Sequence, residues 1–167
     1  LKAIRLINAN LVHAIKYPEN IEYRNNMMMA SLLAGMSFSN ASLGLVHSMA
    51  HSLGGLMDLA HGVCNAILLE YVIDFNYESV PEKYNQIGEA LNLDMEKLDP
   101  GLRKSSVLEK IAKLRNDAGI TSTLGYYGVD KKNLDQLAYN ASNDPCLATN
   151  PREPKLEEIK AIYERAL

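Results

Sequence analysis

Three of the four histidines fall between positions 47 and 61, in Gly44-Leu45-Val46-His47-Ser48-Met49-Ala50-His51-Ser52-Leu53-Gly54-Gly55 followed by Ala60-His61-Gly62. His47 and His51 stand four apart, so on a helix both rings leave the same face. Imidazole is the commonest metal ligand and the side chain whose charge changes near neutral pH. The cluster therefore points to a metal, to a proton-handling site, or to both. The bland alternative is three buried imidazoles satisfied by backbone carbonyls. Helical spacing plus a third ring beyond a Gly-Gly pair disfavours it. A zinc protease of the HExxH type fails on its own chemistry, because the general-base Glu after the first histidine is replaced by Ser48.

Geometry sharpens the point. A single helix through residues 47 to 61 would separate its ends by ~21 Å at ~1.5 Å rise per residue. Two nitrogens on one ion, each at ~2.0–2.1 Å, stand no more than ~4.2 Å apart. A shared ion requires the chain to turn between His47 and His61. The turn is expected at Gly54-Gly55, because glycine accepts positive φ and is a poor helix residue. Gly62 would let another backbone or a ligand approach closely.

The elements around this cluster read as helices nearly throughout. Ile4, Ile7, Leu11 and Ile15 recur at helical spacing up to Tyr17-Pro18. Asn20 can cap a second helix from Ile21 to about Ser39. Its Met27-Met28-Met29 and Leu32-Leu33 read as core filling, with thioether packing favoured over copper binding. The histidine helix is expected from about Ser42 to Leu53. Beyond it Val63, Ala66, Ile67, Leu69, Tyr71, Val72, Ile73 and Phe75 make a helix apolar nearly all round, which belongs in a core. Ser79-Val80-Pro81-Glu82 has capping-box spacing and opens a helix with Tyr84, Ile87 and Leu91 on one face. Pro100-Gly101 breaks the chain before Val107, Ile111 and Leu114. Gly119 to Val129 reads as a loop. Asp130 can cap a helix carrying Leu134, Leu137 and Ala138. Asn143-Asp144-Pro145 and Asn150-Pro151 are turns, and Pro154 opens a last helix with Leu156, Ile159 and Ile162. The pattern predicts an all-α bundle of about seven or eight helices, with residues 1–167 forming a single helical domain.

Composition bounds the function classes. At 167 residues and 47% apolar content, the chain can bury a sizeable core and does not resemble a disordered one. A net charge of −3 with no basic block gives no footprint for nucleic acid. Cys64 and Cys146, far apart, are no disulfide framework, so a reducing cytoplasm is expected. Apolar runs such as Ala66-Ile67-Leu68-Leu69 fall well short of the ~20 residues of a membrane span, and no signal peptide is expected. No membrane partner is expected. The chain starts without Met in the middle of a helical pattern, so a fragment is expected.

These residues resemble the iron-containing (group III) alcohol dehydrogenases. The resemblance rests on Ala34-Gly35-Met36-Ser37-Phe38-Ser39-Asn40-Ala41, Gly44-Leu45-Val46-His47, Ala50-His51, Leu53-Gly54-Gly55, His61-Gly62 and Asn65-Ala66-Ile67-Leu68-Leu69. Asp144-Pro145-Cys146, Asn150-Pro151-Arg152 and Glu158-Ile159 extend it to the far end. It implies the C-terminal helical domain of a dehydroquinate synthase-like, two-domain enzyme whose missing N-terminal domain binds NAD(P). It implies a metal, Fe²⁺ or Zn²⁺ or another divalent ion, held by one Asp and three His. His47 and His61 match the last two histidine ligands. His51 matches a histidine that stays off the metal, beside nicotinamide and substrate, with a catalytic and cofactor-binding role or a supporting one. Phe38 matches a substrate-pocket position, with a core aromatic as the alternative. Cys146 matches a position near the cofactor cleft.

The departures carry as much meaning. The family's Asp-x-x-x-His pair, which supplies the other two ligands, is absent ahead of His47. His13 has Ala9 four positions before it and fits no ligand position. The implied reaction is hydride transfer between a small primary alcohol or its aldehyde and NAD(P), with the metal as Lewis acid. The chain alone is expected to be inactive, and homo-oligomeric association is expected through apolar surface meant for the missing parts. Two alternatives stay open: a glycerol dehydrogenase or dehydroquinate synthase-like enzyme, and a non-catalytic helical metal-binding module.

Overall fold

The computed structural model describes all residues, 1–167. It contains eight α-helices and no strand: α1 Lys2–Lys16, α2 Ile21–Ala41, α3 Leu45–Met57, α4 His61–Asn76, α5 Pro81–Ala90, α6 Pro100–Asp117, α7 Leu134–Ser142 and α8 Leu156–Arg165. Short 3₁₀ turns cover Tyr77–Ser79, Leu124–Tyr127, Lys131–Asn133 and Pro145–Thr149. The expected all-α architecture of seven or eight helices is therefore what the chain adopts. No single helix is long and apolar enough to cross a membrane. The chain divides into two compact units, Leu1–Ala41 with Val80–Gly119, and Ser42–Ser79 with Ile120–Leu167.

In the first unit α1 packs along α2, and α5 packs on α6 and α1. Asn20 caps α2 as expected, its Oδ1 accepting from the Glu22 and Tyr23 amides at 3.0 and 3.2 Å. Asn10 is the buried residue of α1; its amide donates to Leu6 O and accepts from Asn26 Nδ2 at 3.0 Å. The core expectation for Met27-Met28-Met29 and Leu32-Leu33 holds only in part, since Met27 and Leu33 are half-buried. Ala30 is the buried residue of α2, while Met28 is 71% exposed and Met29, Leu32, Met36 and Phe38 are also exposed. The apolar side chains of α2 are spread around the helix, and packing along α1 covers only some of them.

The second unit is built on α3, α4, α7 and α8. Leu45, Met49 and Leu53 of α3 meet Ile67, Leu68 and Val72 of α4, with Leu137 and Ala141 of α7 and Ile159 and Tyr163 of α8 closing the core. Two hydrogen bonds fix α3 against its neighbours from the buried side. Tyr163 Oη donates to Met49 O at 2.7 Å, and Ser52 Oγ donates to Leu137 O at 2.9 Å. Burial pushes the Tyr163 phenol far above its usual range, so it is a permanent donor.

Two local expectations are corrected. The turn after the histidine helix is not at Gly54-Gly55. Both glycines are helical, and α3 runs on to Met57, where Asp58 takes the left-handed conformation at φ 53° with its amide on Gly54 O. A glycine costs a helix only about 1 kcal/mol, and an Asx residue tolerates the left-handed cap. The capping box at Ser79 does not form. Val80 occupies the N-cap of α5 without a side-chain bond, and Pro81 begins the helix in its first turn.

Candidate metal centre

The N-terminal half of α3 carries His47 and His51 one turn apart, and the 58–60 link returns the chain so that His61 is the first residue of α4. His61 Nε2 lies 3.2 Å from His47 Nδ1. The ring centroids are 5.1 Å apart for that pair, 5.2 Å for His51 and His61, and 6.1 Å for His47 and His51. One ring nitrogen from each of the three lies within 4.8 Å of those of the other two. The sequence reading thus holds in its main geometric demand, that helices meeting across a corner bring rings 47 and 61 together.

The residues fit a divalent ion. Two nitrogens at ~2.0–2.1 Å from one tetrahedral centre stand about 3.3–3.4 Å apart, close to the observed 3.2 Å. Burial, then the neighbouring rings of His61 and His51, hold the His47 pKa below 6.5 against a smaller opposing pull from Asp144. His47 is therefore in its neutral, ligating form at neutral pH. The pair also carries a neighbour that sequence reading did not single out. Asn65, one turn along α4, places Nδ2 3.0 Å from both His61 Nε2 and His61 O. Its Oδ1 is buried without a hydrogen-bond partner. The i,i+4 spacing from His61 was the available signal.

Asp144 is the second residue whose role was missed. It caps the Pro145–Thr149 turn, its Oδ1 accepting from the Cys146 amide at 2.8 Å, while Oδ2 lies 2.8 Å from His51 Nδ1. Burial opposes ionisation, but the bonds from the Cys146 amide and His51 outweigh it, and the carboxyl is held below its usual value. With an ionised carboxylate at Nδ1, His51 keeps its ring proton there and leaves Nε2 as the acceptor. Burial and Asp144 push the Cys146 thiol up, so it stays protonated at neutral pH. Cys146 thus joins the cluster through Asp144.

Asn150 secures the whole corner. Its Oδ1 accepts from the Leu45 amide at 3.1 Å, capping α3 from a distant part of the chain. The same oxygen accepts from Asn76 Nδ2 at 2.9 Å, and Asn150 Nδ2 donates to Asn76 Oδ1 at 2.8 Å. A Cβ on Gly44 would stand 3.0 Å from Asn150 Oδ1, so a larger residue there would press on this clamp. Arg152 adds a stack on Phe75 at 3.9 Å and an ion pair with Glu158. The Asn-Pro-Arg stretch thus ties the start of α3 to the end of α4. Phe38 is an exposed residue of α2 in the first unit, and His13 stacks there on Tyr23 at 5.1 Å.

Comparison with known proteins places this geometry. Residues 1–167 match the family model described as the Fe-containing alcohol dehydrogenase family, C-terminal. The 1,3-propanediol dehydrogenase of Klebsiella pneumoniae is 41% identical over 99% of this chain and 43% of its own length. The NAD-dependent methanol dehydrogenase of Bacillus methanolicus is 34% identical over 100% of this chain and 44% of its own. A crystal structure of a 1,3-propanediol oxidoreductase superposes with a TM-score of 0.96 at 40% identity, covering 99% of this chain and 44% of that one. The chain spans less than half the length of the relatives it matches.

Proposed function

We propose a function from one premise: the chain belongs to the Fe-containing alcohol dehydrogenase family, whose C-terminal model matches residues 1–167. The intact protein interconverts a small primary alcohol and its aldehyde by hydride transfer with NAD(P), and this chain contributes half of the metal site. The observation that carries the reading is the 3.2 Å approach of His47 Nδ1 and His61 Nε2 from two helices. These two residues would hold Fe²⁺, Zn²⁺ or a similar ion, with an aspartate and a further histidine supplied from outside the chain. A bound ion supplies Lewis-acid polarisation of the alcohol or carbonyl oxygen.

The remaining chemistry belongs to side chains. Asp144 orients His51 and holds a proton on its Nδ1, so Nε2 is free to accept the alcohol proton or to return it. His51 is 41% exposed at the side chain, which leaves that nitrogen a route to solvent or to nicotinamide. Cys146, which meets the cluster through Asp144, is assigned to the cofactor side of the reaction.

A coupled NAD-reduction assay tests the reading. The purified 167-residue chain with added Fe²⁺ or Zn²⁺ turns nothing over. Joined to the N-terminal part of a relative, it does so, and His47→Ala or His61→Ala abolishes that activity. His51→Gln lowers kcat by about 10²- to 10⁴-fold, the range of a lost proton-transfer group. Turnover by the chain alone, or full activity in the His47→Ala hybrid, overturns the proposal.

A further inference from the structure

We propose that His51, Asp144 and Cys146 form a second divalent-metal site, suited to a borderline-soft ion such as Zn²⁺, which adjoins the His47–His61 pair at the same corner but takes no ligand from it. The three residues each offer a ligand atom, and these atoms lie within 4.8 Å of one another. They come from two elements, α3 and the Pro145–Thr149 turn with its cap. Asp144 is oriented before any ion arrives, because its Oδ1 is held by the Cys146 amide at 2.8 Å while Oδ2 faces His51 Nδ1 at 2.8 Å. Asp144 and Cys146 sit two apart in one short turn, so both donors move as a unit.

The donor set selects the class of ion. Imidazole, carboxylate and thiolate together suit Zn²⁺, Co²⁺ or Cd²⁺, whereas Mg²⁺ and Ca²⁺ want oxygen alone. The His47–His61 pair has no sulfur, so a thiolate signature separates the two sites. The rearrangement is small. A nitrogen and an oxygen on one tetrahedral ion stand about 3.3–3.4 Å apart, so the present 2.8 Å contact opens by roughly half an ångström. The exposed His51 ring has room to make that shift. On binding, the Sγ–H bond breaks, the sulfur electron pair forms the metal bond, and the thiol proton leaves to solvent. The His51 ring proton moves from Nδ1 to Nε2, so an occupied site takes Nε2 out of proton transfer and is an inhibited state. One proton is released per ion, and nothing is oxidised or reduced.

Titration of the reduced 167-residue chain with Co²⁺ tests the site. The expected result is a near-ultraviolet sulfur-to-cobalt charge-transfer band that saturates at one ion per chain. The band persists in His47→Ala, is displaced by Zn²⁺ and is lost in Cys146→Ser. Asp144→Asn weakens the apparent Co²⁺ affinity about tenfold or more. Should Cys146→Ser fail to fold, the wild-type chain still decides: Zn²⁺ protects Cys146 from alkylation, read by peptide mass spectrometry. A saturated titration without a sulfur band, a band surviving in Cys146→Ser, loss of the band in a folded His47→Ala, or unprotected Cys146 overturns the proposal.

Discussion

Replacing Asn150 with alanine removes the clamp that holds the start of the histidine helix. Three bonds to buried partners disappear: from the Leu45 amide at 3.1 Å, from Asn76 Nδ2 at 2.9 Å and to Asn76 Oδ1 at 2.8 Å. Asn76 is only 3% exposed, so both ends of its amide lose their partner in a place water reaches poorly. At about 1 kcal/mol per bond, somewhat more for the stranded groups, the loss is about 2–4 kcal/mol. For a chain of this size each kcal/mol moves Tm by about 2–4 °C, so Tm should fall by roughly 5–15 °C. The assay is thermal unfolding by circular dichroism, extended to a cycle with Asn76→Ala. Each single variant breaks the same pair, so the double variant should be less destabilised than the sum, with a coupling of about 1–2 kcal/mol. Because His47 lies two residues beyond Leu45, Co²⁺ binding to the His47–His61 pair should weaken in step. A Tm shift under about 2 °C, or additive single effects, would refute the clamp.

Three further outcomes follow from other parts of the structure. Gly55 is helical and a Cβ there meets nothing within 4 Å, so Gly55→Ala should stabilise by about 0.5–1 kcal/mol in denaturant titration; destabilisation would return the turn to that position. The depressed His47 pKa means that below 6.5 the unfolded chain takes up a proton that the folded one refuses, so stability should fall from neutral into mild acid. His47→Gln should flatten that part of the pH profile, and an unchanged slope would count against a half-buried, neutral His47. The bare apolar face of α2 should drive self-association, so light scattering should report a mass above the monomer that Met28→Lys with Leu32→Lys lowers.

Spacing alone carried much of the site. The four-position step from His47 to His51 puts both rings on one face whatever the tertiary packing, because the helical period is a backbone property. The helical class was equally legible, since apolar periodicity and the Asn20 cap are local. The location of the corner was not. A pair of glycines permits a turn without requiring one, and burial of Leu53 with packing of α3 on α4 decided for a helix to Met57. The exposure of Met28 and Leu32 was likewise hidden, since an apolar residue states a preference for burial and not the presence of a partner.

Residue types and short-range periodicity were enough to group the three rings and to put His47 and His51 on one helix face, and the family resemblance set rings 47 and 61 apart as the pair. Only the folded chain could bring Asp144 onto His51, ninety-three residues away, and Asn150 onto Leu45, one hundred and five away. The reason is physical: a hydrogen bond between distant residues depends on where the core places two backbones, and no local pattern encodes that placement.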